Sequence, residues 1–102
     1  MTIIAEVGQN HCGNIELGKV LIYLAKLNGA DMVKFQFYRH DVLYKDHPEI
    51  PDASINEYEA ADLFFHGQKL GIEVFFSVFD VMGVHILDDM GVQRFKVAYS
   101  QR

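Results

Sequence analysis

Residues 27–37 read Leu-Asn-Gly-Ala-Asp-Met-Val-Lys-Phe-Gln-Phe. A glycine closes an apolar-periodic run, an apolar and a polar residue follow, and a short stretch rich in branched and aromatic side chains begins. Helices commonly end at a left-handed glycine, and short stretches of this composition read as strands. The same punctuation returns at Gly71-Ile72-Glu73, before EVFFSVF, and at Gly91-Val92-Gln93, before RFKVAY. Repeated helix–glycine–strand boundaries with near-continuous apolar strands specify an α/β chain, a parallel sheet covered by helices.

Working outward, strands are expected over 2–8 (TIIAEVG), 31–37, 73–79 and 94–99. The first helix starts with Asn14 as N-cap and Glu16 in its first turn. It carries Ile15, Val20, Leu21, Leu24 and Leu27 at helical spacing and closes at Gly29. Ser54 and Glu57 form the S-x-x-E capping box of the second, which carries Tyr58, Ala61, Phe64 and Phe65 and ends at Gly71. Asp80 caps the third, with Val84, Leu87 and Met90 ahead of Gly91. The order is β-α-β-α-β-α-β in one domain over residues 1–102, with no linker or second domain. The connection from Tyr38 to Ala53 is long for a strand-to-helix loop, which makes it a candidate functional loop.

Composition narrows the function. The 102 residues hold 9 Lys and Arg against 14 Asp and Glu, a net charge of −5, which lacks the basic face a nucleic-acid binder needs. Half the residues are apolar and 23% charged, as in folded globular chains rather than disordered ones. No apolar run approaches the roughly 20 residues of a membrane span. The opening MTIIAEVGQN lacks the basic and apolar regions of a signal peptide. Cys12 has no partner for an internal disulfide, which fits a reducing compartment. A cytoplasmic protein is the expectation.

Polar residues interrupt the strands where parallel sheets do chemistry, toward their C-terminal ends. Glu6 is late in the first strand, Lys34 and Gln36 share one face of the second, Ser77 is late in the third and Lys96 lies inside the fourth, with Ser100 and Gln101 just beyond. Lysines within apolar strands are costly to bury unless an anion or carboxylate meets them. Two readings follow: each lysine pairs with Glu6 or Asp31 or snorkels to the rim at the strand ends, or together they hold a multiply charged anion such as a phosphorylated small acid. Asn10-His11-Cys12-Gly13 is either an active-site rim or a polar turn with Gly13 supplying the positive φ. No second cysteine and no ligand-spaced histidine accompany His11 and Cys12, which argues against a zinc site. His40, His47, His66 and His85 are scattered, and no phosphate-binding glycine loop is present.

Four blocks together resemble one family. IIAEVGQNHCGNIELGK is similar to the opening of N-acetylneuraminate (sialic acid) synthases, I-A-E-I-G-x-N-H-x-G. GADMVKFQ resembles their G-A-D-x-V-K-F-Q, GIEVFFSVFD their G-I-x-F-x-S-T-P-F-D, and FKVAYSQ their Y-K-I-[AG]-S-G-[DE]. The resemblance implies a TIM-type (β/α)8 barrel that condenses phosphoenolpyruvate with N-acetylmannosamine or a related amino sugar. It implies a divalent metal, manganese or magnesium, that polarises the sugar aldehyde, with its histidine ligands on later strands. On it, Lys34 and Lys96 match phosphoenolpyruvate-binding lysines, Ser77 a threonine contacting the same ligand, Gln36 a sugar-subsite residue, and Glu6 an acid/base or orienting group. The sequence departs at Tyr99-Ser100-Gln101, where the family has Ser-Gly-[Asp/Glu], and at Val78, where it has proline. These departures bear on the acceptor sugar and on the activity; Ser100 and Gln101 are candidate substrate-binding residues.

A whole barrel needs eight strands and about 250 residues. The expectation is therefore the first half of a synthase barrel, weak or inactive alone and associating with itself. Two alternatives stay open: a non-catalytic half-barrel that binds a phosphorylated acid or only self-associates, and another phosphoenolpyruvate-dependent sugar-acid synthase.

Overall fold

A computed structural model describes residues 1–8, 13–38, 46–47, 49, 54–92 and 94–97. Seven elements alternate along the chain: β1 (Ile4–Gly8), α1 (Ile15–Leu27), β2 (Met32–Phe37), α2 (Glu57–Leu70), β3 (Glu73–Val78), α3 (Val81–Met90) and β4 (Phe95–Val97). The strands form one parallel sheet in the order β1-β2-β3-β4. Each strand thus lies beside its sequence neighbour, as single helical crossovers dictate.

The sheet has two unlike faces. Val33, Phe35 and Phe37 of β2 stand opposite Val74, Phe76 and Val78 of β3, and all six are buried beneath the helices with Ile22, Leu63, Phe64 and Leu87. The Phe76 ring meets Phe35 at 6.2 Å and Phe37 edge-on at 6.3 Å, a geometry aromatic quadrupoles favour. Gly67 lets α2 come down on β3. A Cβ there would sit 2.9 Å from the Ile72 carbonyl oxygen and closer still to Val74 Cγ2. Alternation sends Glu6, Lys34, Gln36, Phe75, Ser77 and Lys96 to the other face.

The element boundaries shift slightly from the sequence expectations. β1 starts at Ile4 because Ile3 turns its backbone to Asp31: Ile3 N donates to Asp31 Oδ2 at 2.7 Å, and Asp31 N donates to the Ile3 carbonyl at 2.8 Å. α1 is capped by Asn14 as expected, but ends at Asn28, one residue before Gly29. The capping box of α2 is Asn56–Glu59, not Ser54–Glu57. Glu59 N donates to Asn56 Oδ1 at 2.8 Å and Asn56 N to Glu59 Oε1 at 2.9 Å. Both pairings fit the three-residue spacing, and the one that seats Ile55 in the core prevails. Asp80 caps α3, and Gly71 and Gly91 close α2 and α3 in left-handed conformations.

Two helix faces differ from the expected ones. α2 buries Ala60, Leu63, Phe64 and Gly67, while Tyr58 and Phe65 are exposed. α1 buries Gly18 and Ile22, and Val20, Leu24 and Leu27 are exposed. α1 is apolar nearly all round, so period alone could not choose the side that carries Gly18 and Ile22. The loop over 38–53 lies mostly outside the described residues.

Candidate functional site

The site is built on the face away from the helices. Glu6 of β1 stands opposite Lys34 of β2. One step toward the strand ends, Gln36, Ser77 and Lys96 form a row across β2, β3 and β4. Phe75, opposite Lys34, gives this face a buried apolar floor. The parallel register therefore brings Glu6, Lys34, Gln36, Ser77 and Lys96 to one surface, near the C-terminal ends of the strands.

Burial and charge differ along it. Lys34 and Ser77 are the buried polar residues of the described chain. Lys34 Nζ donates to Glu6 Oε1 at 2.8 Å, while the Glu6 side chain is 63% exposed. That hydrogen bond, the Lys34 charge and then the Lys96 charge hold the Glu6 carboxyl below its usual range. Lys96 itself is exposed. Gln36 is half-buried, and its Oε1 has no hydrogen-bond partner among the described residues, unusual for a buried carbonyl oxygen. Chemically the surface offers two cations, a hydroxyl, a carboxamide whose acceptor has no partner among the described residues, and one exposed carboxylate. This set suits a small molecule with several anionic oxygens and a hydrogen-bond donor.

Ser100 and Gln101 lie outside the described residues, as do Asn10, His11 and Cys12. Sequence reading passed over Gly8. Its signal was present, a lone glycine inside a strand pattern, which marks a bulge or a close approach. Among the described residues no group of three or more His, Cys, Asp or Glu side chains could hold a metal ion. The described residues alone thus supply no ligand set for the implied divalent metal, and no step is routed through one. No described helix is long and apolar enough to cross a membrane.

Residues 21–101 match the family model described as the NeuB family. An N,N'-diacetyllegionaminic acid synthase of Legionella pneumophila is 34% identical over 113 residues, covering 93% of this chain and 32% of that protein. The N-acetylneuraminate-9-phosphate synthase of Mus musculus is 34% identical over 114 residues, covering 93% and 31%. The crystal structure of the N-acetylneuraminic acid (sialic acid) synthetase of Leptospira borgpetersenii, in complex with citrate, superposes with a TM-score of 0.87 at 31% identity. It covers 93% of this chain and 35% of that one. The chain spans about a third of the length of the curated relatives it matches. The four parallel strands and three intervening helices thus have the β/α architecture of a TIM-type sialic acid synthetase over most of this chain, and the chain belongs to the NeuB family, the sialic acid synthase family of sugar-acid synthases.

Proposed function

We propose that this surface binds phosphoenolpyruvate and that, within a complete barrel, it takes part in condensing that acid with N-acetylmannosamine or a related amino sugar to give a nonulosonic acid. Lys34, Ser77 and Lys96 hold the phosphate and carboxylate. Gln36 belongs to the sugar subsite, Ser100 and Gln101 take part in substrate binding, and Glu6 orients or exchanges a proton near the reacting carbons. Carbon 3 of phosphoenolpyruvate forms a bond to the aldehyde carbon, water adds at carbon 2, and phosphate leaves with cleavage of its C–O bond. Fixed cations suit this chemistry because they neutralise the phosphate as it departs. The observation that carries the reading is the row Gln36–Ser77–Lys96 beside a buried Lys34 whose partner among the described residues, Glu6, is itself exposed.

The amino sugar, the manganese or magnesium ion and a cytoplasmic setting belong to the same proposal, as does weak or absent turnover by these 102 residues alone. What supports the last point is that the chain spans about a third of its synthase relatives. Calorimetric titration with phosphoenolpyruvate tests the site. Lys34→Ala should weaken binding by about 1–3 kcal/mol, the scale of a charge-assisted hydrogen bond. Equal affinities, or no binding to either chain, would overturn the reading.

A further inference from the structure

The parallel register of β1 on β2 runs Ile4 to Met32, Ala5 to Val33 and Glu6 to Lys34, then breaks: Gly8, not Val7, stands opposite Phe35. Val7 is an extra residue, and its side chain is in the core. Such a bulge bends the strand and tightens its twist. It falls directly after Glu6, and it is made by Gly8 at φ +56°, a region that side chains with a Cβ seldom adopt. A Cβ on Gly8 would lie 3.9 Å from Gln36 Nε2 and 4.0 Å from Gln36 Cδ. A side chain there would thus be in van der Waals contact with the carboxamide, whose oxygen is buried and has no hydrogen-bond partner among the described residues.

We propose that Gly8 is a positioning residue: its left-handed turn holds the Glu6 carboxylate on Lys34, and its bare Cα gives the Gln36 carboxamide its room. The importance of that clearance for a ligand rests on the site reading above. The geometric role stands on the bulge, the positive φ and the approach to Gln36. The two halves of the role separate by substitution. Alanine disfavours the left-handed conformation. Asparagine tolerates it but places a side chain against Gln36.

The test follows the Glu6 carboxyl titration and the Gln36 side-chain amide resonances by NMR in the wild type, Gly8→Ala and Gly8→Asn, with phosphoenolpyruvate titrated into each. In the wild type Glu6 should titrate below the ordinary carboxylate range. Gly8→Ala should move its midpoint up toward that range. Gly8→Asn should keep the wild-type midpoint while shifting the Gln36 amide resonances. A Gly8→Ala chain with wild-type Glu6 and Gln36 signals would overturn the role. So would an equal rise of the Glu6 midpoint in Gly8→Asn. A wild-type chain that shows this pattern but binds no phosphoenolpyruvate would overturn the site reading and support the positioning role.

Discussion

Lys34 and Glu6 form an ion pair of unequal members: Nζ to Oε1 is 2.8 Å, with the Lys34 side chain 9% exposed and the Glu6 side chain 63% exposed. The ammonium is desolvated and its counter-ion is not. A carboxylate so exposed offsets little of the cost of burying the cation, because water competes for it. An ammonium also has three protons to donate, and this contact uses one. The arrangement makes sense as half of a site whose other anion arrives with a ligand.

Lys34→Met should therefore leave the fold as stable as the wild type or more stable, by up to about 2 kcal/mol, since apolar replacements of buried charges are often neutral or stabilising. Urea denaturation of the two chains checks this. A loss of stability comparable to a core cavity would mean that the pair holds the sheet together and is structural.

The same pair gives stability a pH dependence with a definite sign. The folded-state carboxyl of Glu6 lies below its ordinary value of 4.5, first through the Lys34 hydrogen bond. Its contribution is thus fully present above 4.5 and is lost as pH falls through the lower, folded-state value. Denaturation midpoints measured from pH 7 down to pH 3 should fall more steeply in the wild type than in Glu6→Gln. Parallel curves would remove Glu6 from the account.

Gly67 supplies a test of the scaffold. Its Cα faces backbone and a β-branched side chain on β3, with the Ile72 carbonyl oxygen 2.9 Å from any added Cβ. Neither neighbour can swing away. Gly67→Ala should cost about 1–3 kcal/mol, as overpacked cores do, despite alanine's better helix propensity. Thermal denaturation reads it, and a more stable variant would mean that α2 can lift off β3 freely.

Much of this was legible in the sequence, for physical reasons that differ by element. The order of strands and helices followed from Gly29, Gly71 and Gly91, because backbone punctuation is local. The shared face of Lys34 and Gln36 followed from the period of two. Which cap starts α2 was not legible, since Ser54–Glu57 and Asn56–Glu59 satisfy the same spacing and tertiary burial of Ile55 separates them. The buried side of α1 was not legible either, because both of its sides are apolar. Gly8 marked a bulge or a close approach at the end of β1, but which of the two, and that the register breaks at Val7, is a property of the pairing of two strands rather than of either one.

The central claim is that one face of the sheet holds phosphoenolpyruvate through Lys34, Ser77 and Lys96. Titrating the acid into isotope-labelled protein and following every amide and lysine side-chain resonance tests it most directly. The account predicts that Lys34, Gln36, Ser77 and Lys96 shift together along one saturable curve, while residues of the α1 outer face stay still. Shifts confined to the helical side of the sheet, or none at millimolar ligand, would contradict it.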